Sequence, residues 1–80
     1  MITVEIVDNE MAEMHLDRLG IQQLIHHLEQ LKDRETDDHV HLMTAEWGGG
    51  ELGSDLQNTD PSAQLVQKLT VYYWTRIPES

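Results

Sequence analysis

The stretch DRLGIQQLIHHLEQLKDR, residues 17–34, decides the fold class of this chain. Its apolar residues recur at intervals of three and four, which places their side chains on one face of a helix. These apolar positions are Ile21, Leu24, Ile25, Leu28 and Leu31. Asp17 is a suitable N-cap, and Lys32 and Arg34 suit the negative end of the helix dipole, although Gly20 weakens the first turn. The stretch therefore predicts one amphipathic helix over 17–34.

Segments of alternating polarity flank this helix on both sides. Residues 2–7 read Ile-Thr-Val-Glu-Ile-Val, and residues 39–44 read His-Val-His-Leu-Met-Thr. Their period of two predicts strands, and residues 8–10, Asp-Asn-Glu, lie where the chain should change direction. Residues 69–76 are rich in β-branched and aromatic types, which predicts a closing strand with Pro78 marking its end.

Two further segments lie between the second and third predicted strands. Residues 45–58 contain four glycines and predict a Gly-rich loop, because glycine permits backbone angles that other residues avoid. Thr59-Asp60-Pro61-Ser62 places a side-chain oxygen ahead of a proline at the first helical position. That pattern predicts a possible short helix over 61–67.

The order of these elements predicts an α+β fold in a single domain, residues 1–80. A β-α-β-β order gives a small three-stranded mixed sheet with the amphipathic helix packed on one face, because a helical connection lets the first two strands run parallel. The core opposite the helix is expected to contain Ile2, Val4, Ile6, Val40, Leu42, Leu69, Val71 and Tyr73. The other face is expected to display Thr3, Glu5, His39, His41, Met43, Thr70, Tyr72 and Trp74.

Composition restricts the classes of partner. Fifteen acidic and five basic residues give a net charge of −10 in 80 residues, which disfavours direct binding to nucleic acid or an anionic membrane and favours a basic protein partner. The absence of cysteine removes disulfides and thiolate metal sites. No apolar run approaches the roughly 18 residues of a membrane span, and the first residues do not resemble a secretory signal. We therefore expect a cytoplasmic protein.

A metal site and an enzymatic activity are both disfavoured by the sequence. His39 and His41 point the same way on a predicted strand, and Glu5 could complete a ligand set. His26 and His27 diverge by about 100° on the helix, however, and neither helical metal motif is present. We predict no metal, no cofactor and no catalytic residue, with a weak metal-binding enzyme as the remaining alternative.

The glycine-rich segment does not resemble a nucleotide-binding loop. No Lys-Ser or Lys-Thr follows the glycines, and Glu46 and Glu51 flank them with the wrong charge for phosphate. Two interpretations stay open. In one, the glycines only turn the backbone and Trp47 folds over the sheet edge; in the other, the loop presents Trp47 and the two carboxylates to a partner.

An aromatic face on a small acidic protein predicts an interaction surface, because tyrosine and tryptophan supply much of the energy of protein interfaces. The acidic run 33–38 could form a rim together with Glu46, Glu51 and Asp55. The residues expected to bind a partner are His39, His41, Trp47, Glu46, Glu51, Tyr72 and Trp74.

The segment DHVHLMTAEWGGGEL, residues 38–52, resembles the signature of immunity protein family 32 from bacterial polymorphic-toxin systems. The resemblance extends more loosely to the helix at 24–31 and to the closing strand at 69–74. The positions that match the signature are His39, His41, Trp47, Gly48, Gly49, Glu51 and Leu52. The resemblance implies a small cytoplasmic protein that binds and neutralises a toxin, often one with nuclease activity.

Two hypotheses for a binding protein follow from these observations. The first is an immunity-type inhibitor whose acidic and aromatic surface covers the basic active site of a toxin. The second is a homodimeric structural or regulatory domain that buries Tyr72 and Trp74 against a second copy of itself.

Overall fold

The computed structural model describes residues 1–76, so the expected strand end at Pro78 lies outside the described residues. The elements are β1 (Ile2–Val7), β2 (Met11–Leu16), α1 (Arg18–Lys32), β3 (Asp38–Met43), a 3-10 helix (Ala45–Trp47), β4 (Gln64–Leu65) and β5 (Lys68–Tyr73). The α+β class is confirmed, but the order within the described residues is β-β-α-β-β-β, with two more strands than predicted.

A β-hairpin at the start of the chain contains the first unpredicted strand. β2 pairs antiparallel with β1 along its whole length, from Ile2 opposite Leu16 to Val7 opposite Met11. Asp8 and Asn9 both have positive φ, 55° and 56°, and the Glu10 N–H donates to the Val7 carbonyl at 3.1 Å. Asp and Asn tolerate this left-handed conformation better than most residues. The predicted change of direction is therefore a tight hairpin turn.

The strands form two antiparallel sheets, so the prediction of one three-stranded mixed sheet is wrong. The first sheet has the order β2-β1-β4, and the second pairs β3 with β5. β1 and β3 are not neighbours, because the returning strand β2 and then β4 take both edges of β1. Residues 64–73 pass from the first sheet to the second, which joins the two sheets through one segment of chain.

The short helix predicted over 61–67 is also wrong. The Asp60 carboxylate accepts hydrogen bonds from the Ser62 N–H and hydroxyl, both at 2.8 Å, which closes a turn where the helix would begin. The chain then extends, and the Val66 N–H donates to the Val4 carbonyl at 2.8 Å. Pairing with the open edge of β1 satisfies backbone groups that one or two isolated helical turns would leave exposed.

The core lies between the two sheets and the helix. Its buried members are Ile2, Val4, Leu42 and Leu52, with Leu16, Leu24, Val40, Val66, Leu69 and Val71 partly buried around them. β1 is buried on both faces, because Ile2 and Val4 face this core and residues 53–58 cover the other face. Thr3 and Glu5, expected on the exposed face, are fully buried under this segment. That expectation was wrong because the loop forms a second cover over β1.

The helix begins after Asp17, as predicted. The Asp17 carboxylate accepts hydrogen bonds from the Gly20 N–H at 2.7 Å and from the N-terminal ammonium at 2.6 Å. A Cβ at Gly20 would collide with the Met1 carbonyl, so this glycine allows the first turn to lie against the chain start. Because the Gly20 side faces the protein, Leu24 and Leu31 pack inward. The expectation that the other apolar helix residues join the core is wrong for Ile21, Ile25 and Leu28, which are exposed.

Candidate partner-binding surface

A row of rings lies on the outer face of the β3–β5 sheet. The pairing places His39 opposite Tyr72 and His41 opposite Thr70, with Val40 and Leu42 turned inward as the alternation predicts. The ring centroids of His41 and His39 are 4.7 Å apart, those of His39 and Tyr72 are 5.4 Å apart, and those of Tyr72 and Trp74 are 5.9 Å apart. We call His41, His39, Tyr72 and Trp74 the aromatic ladder.

The ladder is open to solvent. Tyr72 is 60% exposed and Trp74 is 52% exposed, and their rings stack with an interplanar angle of 13°. Stacking holds both rings in fixed orientations, so a partner that covers them immobilises little additional side-chain freedom. The ladder therefore has the properties of a preorganised contact surface.

Each end of the ladder has one basic side chain, and the Trp74 end also borders the acidic run 33–38 that the sequence suggested as part of a rim. The Arg76 guanidinium lies 4.8 Å from the centre of the Trp74 ring, and Lys68 lies opposite Met43 at the other end of the sheet. Asp37 balances the Trp74 end. Its carboxylate accepts from the Thr75 N–H and hydroxyl, both at 2.8 Å, and these bonds lower the pKa of Asp37.

The surroundings of His41 favour its neutral form. Its Nδ1 lies 3.0 Å from the Thr70 hydroxyl across the sheet. Partial loss of water around the ring lowers the pKa of His41, and the nearby charges of Lys68 and His39 lower it further. The ladder therefore presents an imidazole whose surroundings disfavour a positive charge.

The Gly-rich loop is tied back onto the end of β3. The Met43 carbonyl accepts from the Gly50 and Leu52 N–H groups at 2.9 and 3.1 Å, and the Glu51 carboxylate accepts from the Met43 and Gly50 N–H groups, both at 3.2 Å. A Cβ at Gly49 would lie 2.6 Å from the Met43 carbonyl oxygen. Backbone N–H groups, first its own and then that of Met43, lower the pKa of Glu51. Glu51 therefore shapes the loop.

Trp47 stands out from this loop, 59% exposed, and is not folded over the sheet. Gly48 follows it in the left-handed conformation with φ 93°, so the glycines turn the backbone while the indole stays exposed. Glu46 accepts from the Ser54 hydroxyl at 2.8 Å, which lowers the pKa of Glu46 and keeps it ionised. The glycines turn the backbone as the first interpretation expects, but Trp47 does not fold over the sheet edge. Of the three side chains named in the second interpretation, Trp47 and Glu46 are exposed, whereas Glu51 bonds to the backbone.

The structure places the predicted site residues in two groups. Trp47 follows the Met43 end of β3, whereas Trp74 follows the end of β5 that pairs with Asp38. Six residues of strand separate these ends, about 17–20 Å. The first group is the aromatic ladder, and the second is Glu46, Trp47 and Glu51, which we call the Trp47 loop.

One cluster of possible metal ligands was missed by the sequence analysis. His15 Nε2 lies 3.1 Å from a Glu13 oxygen and 3.7 Å from a Glu5 oxygen. Glu13 and His15 accompany Glu5 because β2 pairs with β1, whereas His39 and His41 lie in the other sheet. The cluster was missed because β2 was not predicted. Their oxygens already accept bonds from the Gln57 and Asn58 N–H groups and the Asn58 amide, at 2.6–3.1 Å. The cluster therefore fastens the 52–58 segment to the first sheet.

An open groove of about 270 Å³ lies between the helix and the Trp47 loop. Its lining residues are Ile2, Gln23, His27, Gly49, Gly50 and Glu51. The groove is wide and polar, and nothing in its lining forms a nucleophile–base pair of the kind that activates a serine or cysteine.

Among residues 1–76, no helix has the length and apolar character needed to cross a lipid bilayer.

Comparison with known proteins gives one result. A family model described as Immunity protein 32 matches residues 12–69, which is more than half of the chain. The match includes β2, the helix, β3, the Trp47 loop and the start of β5. No curated protein and no solved structure matches the chain.

Proposed function

Because this chain belongs to the Immunity protein 32 family, we propose that it neutralises a bacterial toxin by binding it directly, one molecule to one, without catalysing a reaction. The family assignment supports an immunity role in general. The observation that supports direct binding is the exposed, stacked pair Tyr72–Trp74. Rigid aromatic side chains of this kind dominate the affinity of many protein interfaces.

The proposed contact surface is the aromatic ladder, with the Trp47 loop as a second contact. Arg76 over Trp74 gives the ladder hydrogen-bond donors beside the aromatic rings, and His41 adds a ring nitrogen that can donate or accept. The loop adds an exposed indole and the ionised Glu46, held by the bonds that Glu51 makes to the backbone. A partner that covers both groups would span about 20 Å along the second sheet.

The partner is proposed to be a basic toxin domain, such as a nuclease, in the bacterial cytoplasm. The ladder itself carries Lys68 and Arg76, so complementarity does not come from the ladder. It comes from the net charge of −10, which attracts a basic protein over a longer range and increases the association rate. Raising the salt concentration should therefore slow association more than it speeds dissociation.

The experiment is a titration of the toxin domain encoded beside this chain, followed by its enzymatic activity and by calorimetry. The intact protein should abolish toxin activity at one equivalent. The double variant Tyr72→Ala, Trp74→Ala should weaken binding at least tenfold, because each truncation at an interface centre costs about 1–4 kcal/mol.

Leu56→Ala is the matched control, since Leu56 is also an exposed apolar side chain but lies outside both groups. It should bind like the intact protein. Full toxin activity at excess intact protein would contradict the proposed function, whereas inhibition that the double variant retains would contradict only the ladder as the contact surface.

A further inference from the structure

One side of helix α1 is apolar and uncovered. Ile21, Ile25 and Leu28 are 46%, 49% and 43% exposed. Their spacing of four and three residues puts them in a single stripe, about a quarter turn away from the buried side that contains Gly20 and Leu31. We call these three residues the helix stripe.

Charged residues border the stripe in a particular pattern. Arg18 and Glu29 lie along one margin of the stripe, with Lys32 at its C-terminal end, and all three are exposed. Within residues 1–76, neither Arg18 nor Glu29 belongs to an ion pair of the chain. The helix carries one net positive charge, so the rest of the chain carries −11. The surface around the stripe is therefore less acidic than the rest of the chain, which reduces the repulsion between two copies that meet there.

We propose that the helix stripe pairs with the helix stripe of a second copy of this chain, with the two helices antiparallel. In an antiparallel pair related by a twofold axis between Leu24 and Ile25, Ile21 of each copy lies opposite Leu28 of the other. The same axis keeps the Arg18–Glu29 margin of one helix beside that of its partner.

This register also matches charges. Arg18 of one copy lies within one helical turn of Glu29 of the other, and the twofold axis repeats the pair, so the dimer gains two opposite-charge contacts. Lys32 lies level with Asp17 of the other copy. A parallel pair would instead put the two Arg18–Glu29 margins on opposite sides of the seam, so neither contact could form, and it would bring Lys32 close to Lys32. The charges therefore select the antiparallel arrangement and a second copy of the chain as the occupant.

The size of the stripe sets the strength of the dimer. Stable interfaces bury about 800 Å² from each partner, and one face of a 15-residue helix offers less. The expected dissociation constant is therefore micromolar.

The aromatic ladder lies on the outer face of the second sheet and stays free in this dimer. The inference does not depend on toxin binding.

The test uses single cysteines, because the chain has none of its own. Ile25→Cys places a thiol next to the twofold axis and should form an intermolecular disulfide under mild oxidation. Tyr72→Cys is the matched control, because Tyr72 is at least as exposed as Ile25 but lies on the ladder, and this variant should stay monomeric. No disulfide from Ile25→Cys, or equal crosslinking from both variants, would overturn the proposal; circular dichroism checks that both variants fold.

A charge exchange tests the register by sedimentation equilibrium. Arg18→Glu and Glu29→Arg should each weaken the dimer about tenfold, because each change makes two opposite-charge contacts repulsive. The double exchange should restore the affinity of the intact protein. A double variant as weak as either single variant would overturn the antiparallel register.

Discussion

Glu5 illustrates how a single residue can fix a long loop. Its carboxylate is fully buried and accepts the backbone N–H groups of Gln57 and Asn58 at 2.6 and 3.1 Å. Asn58 also donates its side-chain amide to Glu13 at 2.8 Å, which lowers the pKa of Glu13. Segment 52–58 has no regular structure of its own, so these bonds hold it over β1.

Removing this carboxylate should destabilise the protein. Glu5→Ala leaves the two N–H groups without an acceptor and should lower the free energy of unfolding by about 1–3 kcal/mol. Urea unfolding measures the loss, and limited proteolysis should show earlier cleavage within 53–58. Glu10→Ala, at the exposed hairpin turn, is the control and should change little. Equal stability of the two variants would show that Glu5 does not anchor the loop.

The sequence could predict which residue types form the site and on which face of a strand each lies, but not which of them come together in space. Alternation in β3 and β5 correctly placed His39, His41 and Tyr72 on an outer face. The same reasoning placed Glu5 beside them, because alternation shows neither that β1 and β3 belong to different sheets nor that a distant loop covers the second face of β1. The role of Glu51 as a backbone acceptor, and the separation of Trp47 from Trp74, depend on how the loop returns to Met43.

At the level of elements, the strands with β-branched or aromatic residues were predictable and the others were not. β1, β3 and β5 contain such residues, whereas β2 reads Met-Ala-Glu-Met-His-Leu, a composition that favours helix. β2 forms because the turn at Asp8 and Asn9 directs it onto the edge of β1. β4 has only two residues, too few to show a period. Tertiary pairing, not local preference, determines both strands.

The positive φ of Asn9 predicts that the stability of the protein depends on the residue at this position of the hairpin turn. Asn9→Val places a β-branched residue at φ 56° and should reduce the free energy of unfolding by about 1–2 kcal/mol. Asn9→Gly is the matched control, because glycine adopts this conformation without steric cost, and it should retain or increase stability. Equal unfolding free energies for the valine and glycine variants would contradict the left-handed turn.

For the whole molecule, two charge effects act in opposite directions on acidification. The net charge of −10 causes self-repulsion, which weakens as carboxylates take up protons. Several carboxylates nevertheless have lowered pKa values. The N-terminal ammonium, followed by the Gly20 N–H, lowers the pKa of Asp17, and the Ser62 N–H lowers that of Asp60.

At high salt, where repulsion is screened, stability should fall on acidification. A lowered carboxyl pKa means that the unfolded chain binds more protons, so the contribution is present above the usual Asp value of 3.8 and is lost below it. Asp17→Asn keeps a good helix cap without the charge and should reduce this acid sensitivity in thermal unfolding from pH 3 to 7, a range chosen to bracket roughly the carboxyl titrations. If the unfolding temperature of Asp17→Asn depends on pH as that of the intact protein does, the Asp17 carboxylate does not contribute to the acid sensitivity.

The central claim is that Trp74 in the aromatic ladder contacts the toxin. Fluorine NMR of the protein labelled with 5-fluorotryptophan tests it, because the chain has two tryptophans and Trp47→Phe assigns the resonances. On addition of one equivalent of unlabelled toxin domain, the Trp74 resonance should shift. Its chemical shift should also stop changing when H₂O is replaced by D₂O, because the ring is no longer in contact with solvent. A Trp74 resonance that stays unchanged while the complex forms would contradict the account.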